Sequence, residues 1–550
     1  MPSYKFRTAI GETIYNQKYS HDGEYSWPEL SRQLVSEVCE DYMSRDEVRE
    51  LTEYVTQMKF IPGGRYLWYA GRPLKAYNNC YLLKGEEDTR EEWGNLLKRA
   101  SDCLMSGGGI GVDYSVFRER GARLHRTGGT SSGPIPLMHS INEVGRNVMQ
   151  GGSRRSAIYA SLNWAHGDAE AFLTMKDWHG MQIGKQMAGF RPYTVWDAKH
   201  EDLNYPAPLD MTNVSLNYDD KWLFDENRHK HPTFLKNVEQ ALRSGEPGFS
   251  FNFGSKQNET LRNACTEVTS ADDSDVCNLG SVNMSRIESK WEFSRVVELA
   301  SKFLVCGTLK ADLPYAKVYE VREKNRRLGL GLMGIHEWLL KRGLKYEVGP
   351  ELRDWLWHYK TYSEKGANEL CDALSISRPV AYRAIAPTGT IGMIAGTTTG
   401  IEPLFAVAYK RRFLTGSSKW HYQYVIDGAA RLLIDEYGLD PDSIDSAYGM
   451  ANDYERRIKF QADIQDYVDM AISSTINLPA WGTEYNNESI VSDFAKTLSE
   501  YAPRLRGFTV YPDGSRGGQP LTLVPYKEAL SHGDVIYEEN DACKGGVCGS

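Results

Sequence analysis

The chain has 550 residues, a formal net charge of −9, 41% hydrophobic and 25% charged residues, the composition of an ordinary globular protein with room for one large α/β domain or three smaller ones. The acidic balance argues against a nucleic-acid binder with a basic surface, while small phosphorylated molecules need only a local positive field. No apolar run is long enough to cross a bilayer, and Met1-Pro2-Ser3-Tyr4-Lys5-Phe6-Arg7 lacks the apolar stretch of a signal peptide, so the expectation is a cytoplasmic protein with no membrane partner.

Along the chain, Trp27, Leu30, Leu34, Val35, Val38, Leu51, Val55 and Met58 recur at roughly helical spacing, which predicts helix over 27–59. Pro62-Gly63-Gly64 ends it, and residues 1–76 read as a helical N-terminal region. From Tyr77 short apolar runs alternate with helical patterns and Gly-rich turns: Ile110-Gly111-Val112, Ser156-Ala157-Ile158-Tyr159-Ala160, Gly248-Phe249-Ser250-Phe251 and Gly507-Phe508-Thr509-Val510-Tyr511. This predicts one large α/β unit over 77–530. Residues 531–550 turn polar and acidic and end near Lys544-Gly545-Gly546-Val547, the composition of a mobile tail.

Nine cysteines without framework spacing suit a reducing compartment, where paired cysteines are more often catalytic or metal-binding than structural. Zinc lacks its usual signature, since there is no Cys-x-x-Cys and no His-Glu-x-x-His. Five thiols stand out: Cys80, Cys265, Cys277, Cys543 and Cys548. Asn263, Cys265 and Glu267 alternate at period two, so in an extended segment their side chains share one side. There an amide can orient a hydroxyl, a thiol can pass a hydrogen atom and a carboxylate can act as general base. A buried strand cysteine with polar neighbours gives the same pattern. Pro387-Thr388-Gly389-Thr390-Ile391 offers N–H and hydroxyl donors to a phosphate, or simply caps a helix. Gly329-x-Gly331-x-x-Gly334 matches a dinucleotide fingerprint in its letters but follows Lys324-Asn325-Arg326-Arg327. It therefore predicts a tight strand-to-helix passage and no NAD site.

Together these blocks resemble the catalytic subunit of ribonucleotide reductases. Asn78-Asn79-Cys80, Ser106-Gly107-Gly108-Gly109, Thr212-Asn213-Val214-Ser215, Asn263-x-Cys265-x-Glu267, Cys277-Asn278-Leu279-Gly280-Ser281, Pro387-Thr388-Gly389-Thr390-Ile391 and Thr509-Val510-Tyr511-Pro512-Asp513-Gly514 follow in that family's order. The resemblance implies a ten-stranded α/β barrel of two five-stranded halves, with a finger loop carrying Cys265 to its centre. It implies that Cys265 becomes a thiyl radical and takes the 3′ hydrogen of a ribonucleotide di- or triphosphate. Glu267 would remove the 3′-OH proton, and Asn263 would hold the sugar hydroxyls. Cys80 and Cys277 would end as a disulfide, reopened by Cys543 and Cys548, which a thioredoxin or glutaredoxin re-reduces. Asn79 and residues 387–391 would bind substrate. Asp113 and the loop with Gly151, Gly152 and Arg154 would neighbour a site for a dNTP specificity effector, and the chain would form a homodimer.

The chain offers no tyrosyl, metal or glycyl radical source of its own. In one class of the family adenosylcobalamin makes the radical; in another, a metal-containing partner subunit passes it through two adjacent tyrosines. Pro512 stands where the second tyrosine is expected, and proline carries no radical, which favours adenosylcobalamin. A two-component enzyme that lost the tyrosine pair is the alternative. An inactive nucleotide-binding regulatory relative is a second, against which the five retained cysteines speak. The first 76 residues show no ATP-binding cone, a compactness that suits a phage-encoded enzyme.

Overall fold

The computed structural model describes residues 4–148, 156–184, 191–202, 204–414, 420–515, 521–533 and 535–538. Its centre is a large set of strands: β1 (Cys80–Lys84), β2 (Gly109–Asp113), β3 (Ile158–Asn163), β4 (Thr212–Tyr218), β5 (Gly248–Phe251), β6 (Asp275–Asn283), β7 (Leu328–Met333), β9 (Thr475–Leu478) and β10 (Gly507–Pro512), with an extended segment over residues 381–386, here β8, that joins them only through two isolated bridges. Strands β1 to β5 run parallel, each paired to the next. In the second half β6 pairs β7 and β9 pairs β10, again parallel. Strand β8 fills the gap between them through two parallel bridges, Leu330–Arg383 and Ile385–Ile472. Leu328 N donates to Ala381 O at 3.0 Å and Ser473 N to Ile385 O at 2.8 Å. The halves meet antiparallel at β1–β6 and β5–β10. Both seams between the halves are paired, and this two-halved, mixed α/β arrangement of strands agrees with the α/β fold that the family resemblance implies.

The apolar runs read from the sequence fall on β2, β3, β5 and β10. Strands β2, β6 and β7 are buried at every position, as parallel strands covered on both faces must be. Strand β7 passes through Gly334, at φ 73°, into the helix Ile335–Lys341, so the Gly-rich segment is the strand-to-helix passage expected.

Helices α1 (Ala9–Lys18), α2 (Trp27–Cys39) and α3 (Arg45–Thr56) precede the ring. The stretch 27–59 is thus two helices and not one continuous helix. Ser44 starts the second, its hydroxyl accepting from Glu47 N while the Glu47 carboxylate accepts from Ser44 N, both at 3.3 Å, a capping box that outweighs the helical periodicity on either side. A four-stranded antiparallel sheet (Leu521–Leu523, Ala408–Leu414, Trp420–Ile426, Ile536–Glu538) stands apart from the ring. Its last strand lies in the segment whose composition reads as a tail. Among the described residues no helix is long and apolar enough to cross a membrane.

Candidate active site

Between β5 and β6 the chain enters the barrel as a hairpin, Leu261–Arg262 pairing antiparallel with Thr269–Ser270. At its tip Thr266 N donates to Asn263 O at 2.9 Å, and Thr266 takes φ 72°. A tight turn, and not the extended segment of the period-two reading, gathers Asn263, Cys265 and Glu267. Gly111 of β2 makes room for this finger. A Cβ there would lie 1.6 Å from the Arg262 carbonyl oxygen, so any side chain would displace the hairpin. The buried Arg262 guanidinium ties the finger's base across the β5–β10 seam, donating to Asn252 Oδ1 at 2.7 Å and Arg506 O at 3.1 Å.

Cys80 opens β1 directly opposite Cys277 of β6. Such cross-strand partners have Cα atoms roughly 4.5–5.5 Å apart, within the roughly 4.4–6.8 Å that a disulfide spans. Both are buried thiols. Burial pushes each pKa well up, helped by the Glu267 charge at Cys80 and the Asp275 charge at Cys277, so both hold their protons at neutral pH. Asn263 Nδ2 donates to Cys80 Sγ at 2.9 Å, and Asn263 Oδ1 accepts from Val268 N at 2.9 Å. Glu267 is 1% exposed, and burial raises its pKa to about 7. Its Oε2 has no hydrogen-bond partner among the described residues. A carboxyl poised near neutrality can take up and release a proton at little cost.

Cys80, Asn263, Cys265 and Glu267 line one cavity of about 440 Å³ with Asn79, Ser281 and all of Pro387, Thr388, Gly389, Thr390 and Ile391. Thr388, at φ 51°, accepts at Oγ1 from Gly400 N at 2.8 Å, which fixes the loop that leads into the helix Gly389–Ala395. Asn79 Oδ1 is a second buried acceptor with no partner among the described residues. The cavity also takes Gly63, Gly64, Arg65 and Trp68, together with Gln17, Lys18 and Tyr19 from the N-terminal region. Sequence reading missed these; Pro62-Gly63-Gly64 was visible only as a helix stop. Asp113 stands at the far end of β2, where its carboxylate accepts from Ser115 N at 3.0 Å and Thr260 Oγ1 at 2.6 Å. Gly151, Gly152, Arg154, Cys543 and Cys548 lie outside the described residues.

The cavity opens where β1–β3 begin and β6 and β8 end. At the same end of the ring, where β5 begins and β9 and β10 end, lies a larger cavity of about 1420 Å³. Its walls include Trp196, Phe405, Tyr422, Trp481 and Tyr511, with Arg243, Lys410 and Arg412. His179, Trp196 and His200 form a stack on one wall, with ring centroids 4.9 and 5.0 Å apart. The buried Ser515 Oγ, also on this lining, has no partner among the described residues.

A sequence model described as the barrel domain of ribonucleotide reductase matches residues 78–220, 234–355 and 378–504. The chain belongs to the ribonucleotide reductase family. A vitamin B12-dependent ribonucleoside-diphosphate reductase of Mycobacterium tuberculosis is 26% identical over 92% of this chain and 76% of its own length. A Mycobacterium phage D29 protein, named for adenosylcobalamin-dependent ribonucleoside-triphosphate reduction, is 23% identical over 98% of both chains. The ribonucleoside-diphosphate reductase large subunit of Danio rerio is 24% identical over 67% of this chain and 56% of its own. The thiols of the smaller cavity and residues 387–391 fall within the family match, whereas residues 17–19 and 63–68 precede it.

Proposed function

We propose that this chain reduces ribonucleotides to 2′-deoxyribonucleotides by radical chemistry that depends on adenosylcobalamin. The observation that carries this reading is that Cys80 lines a cavity with Cys265 and Glu267 and is the register partner of Cys277, which lies behind it, outside the cavity lining. The net reaction replaces the C2′–OH bond by C2′–H, releases water and turns two thiols into a disulfide. Cys265, as a thiyl, takes the 3′ hydrogen and returns it at the end, so its sulfur is unchanged over a turnover. Glu267, partly ionised near neutrality, accepts the 3′-OH proton. Cys80 and Cys277 keep their protons until the 2′-OH departs, then supply two protons and two electrons, one proton leaving with the water and one ending on C2′, and close an S–S bond along their register, while Glu267 returns its proton to the 3′ oxygen. Asn263 ties Cys80 to the finger and brings its amide to the sugar side of the cavity. Asn79 and residues 387–391 bind the rest of the nucleotide.

The chemistry that a bound adenosylcobalamin supplies is homolytic, the source of the radical that Cys265 carries. The larger cavity suits a ligand of that size, since it exceeds the roughly 300–1,000 Å³ of pockets for drug-sized molecules. Trp196, Tyr422 and Tyr511 would hold the flat macrocycle, and Ser515 Oγ would find a partner on it. Strand β10 ends in Tyr511-Pro512, a single tyrosine, which disfavours radical transfer from a second subunit. Cys543 and Cys548 would carry electrons from a thioredoxin or glutaredoxin to the closed disulfide. Asp113 and the loop of residues 150–155 would serve a dNTP effector, in a homodimer.

The test is an assay of the purified chain with a dithiol reductant, adenosylcobalamin and ribonucleoside di- or triphosphates. Deoxynucleotide is expected with no second protein. Product that appears only when a metal-containing partner is added would transfer the reading to the two-component class.

A further inference from the structure

The N-terminal region reaches the active site by a route that the family match does not cover. Arg7 spans Glu337 with two charge-assisted hydrogen bonds, at 3.0 and 2.8 Å, and donates to Gly396 O at 3.0 Å. Glu337 is fully buried and also accepts from Thr397 Oγ1 at 2.7 Å. Residues 396 and 397 directly follow the helix Gly389–Ala395, so this clamp fixes the chain's start to the segment that lines the smaller cavity. Helix α1 then lies against that same helix. A Cβ on Gly11 would come within 2.8 Å of Met393 O and 2.9 Å of Ile394 O. No larger residue permits that approach.

The end of α1 is thereby delivered to the cavity rim. Gln17, Lys18 and Tyr19 line it together with Thr388, Gly389 and Thr390. The cavity's charged lining consists of two cations, Lys18 and Arg65, and one acid, Glu267. Arg65 is buried and spends its guanidinium on Ala76 O, Ser106 O and Tyr69 Oη. Lys18 is exposed, at the end of an anchored helix.

We propose that α1 is a wall of the substrate site and that Lys18 contacts the phosphate chain of the nucleotide, a role that rests on the ribonucleotide reading above. A di- or triphosphate brings several negative charges to a cavity whose other exposed lining groups are neutral. An ammonium on a flexible stem reaches such a chain as a point charge and tolerates a shift in its position. The Arg7–Glu337 clamp and the Gly11 contact act through Lys18 by holding α1 in place.

The experiment reads the site directly by following the alkylation of Cys265 in the full-length protein by peptide mass spectrometry. Ribonucleoside diphosphate, ribonucleoside triphosphate or the bare ribonucleoside is added as protectant. For Lys18→Gln the concentration of phosphorylated nucleotide giving half-protection should rise about tenfold, the weight of one charge-assisted contact. Lys18→Arg should stay close to wild type, and protection by the bare ribonucleoside should not change. In assays of turnover the same variant should raise KM and leave kcat unaltered. Equal protection of wild type and Lys18→Gln by the phosphorylated nucleotides would overturn the role of Lys18 while leaving the ribonucleotide reading intact. Absence of protection in the wild type would overturn both.

Discussion

The two cavities at one end of the barrel are built differently. The smaller is walled by strand starts, strand ends and the finger tip, and its reactive groups sit on backbone held by ring pairing: Cys80 against Cys277, and Asn263 in a turn braced by Val268. The larger is lined by long side chains that include His179, Trp196 and His200, others from the four-stranded sheet, and the ends of β9 and β10. On the proposed reading, chemistry that depends on fractions of an ångström would lie on the ring, and accommodation of a bulky ligand on what is added to it. The division matches the demands of the reaction, since hydrogen-atom and proton transfers require tight placement, whereas holding a large planar group requires area.

The sharpest way to break the comparison is Cys265→Ser. Deoxynucleotide formation should fall below detection by chromatography, while titration of adenosylcobalamin, followed by its absorbance, remains at the wild-type affinity. Loss of cofactor binding in that variant would mean that the cavities are not separate devices. Cys277→Ser should come next: with reductant withheld, wild-type protein should accumulate the Cys80–Cys277 disulfide in tryptic peptides, and the variant should not.

Glu267→Gln should lower kcat by about 10²–10⁴-fold and remove the acidic limb of the pH–rate profile near about 7. The stability effect has the opposite sign. Because burial raises the pKa of Glu267 from 4.5 to about 7, the folded chain keeps a proton that the unfolded chain releases between those values. Glu267 thus weakens the fold progressively as pH rises from about 4.5 through about 7, and by a constant amount above. Thermal melts should show Glu267→Gln gaining on wild type over that window and holding its advantage beyond it. The smallest effect belongs to the larger cavity: Trp196→Ala should weaken adenosylcobalamin binding about tenfold and leave nucleotide protection of Cys265 unchanged. Weakened protection would merge the two sites.

Much of the ring was legible because parallel strands buried on both faces leave continuous apolar runs, as in Ile110-Gly111-Val112 and Gly507-Phe508-Thr509-Val510-Tyr511. Strand β8 was not. Residues 381–386 read Ala-Tyr-Arg-Ala-Ile-Ala, and a buried arginine broke the run. Arg383 lies inside because Asp469 and Glu364 pair with it, at 2.6 and 2.8 Å, partners that no local pattern announces. At the active site the reactive types were visible, but the Cys80–Cys277 register is a long-range pairing and the turn at Thr266 has no glycine to signal it. Helix α1 falls in the region read as helical, but its sequence, Ala-Ile-Gly-Glu-Thr-Ile-Tyr-Asn-Gln-Lys, gives no sign of its place at the cavity. In the fold its glycine is the contact point with the helix behind residues 387–391.

The order of the finger along the chain bears on assembly. Residues 261–270 come after the whole first half of the ring and before the whole second half. During synthesis β1 to β5 emerge first, and Gly111 is then in place to receive the hairpin before β6 to β10 exist to enclose it. The loop that carries Cys265 thus follows the first five strands and precedes the rest in chain order, and no strand has to be threaded past it. The final seam, β5 with β10, joins residues far apart in sequence and is also where Arg262 reaches from the finger to Arg506 O. The seam between the two halves is therefore also the one that holds the base of the finger, so a change at either would be felt at the other.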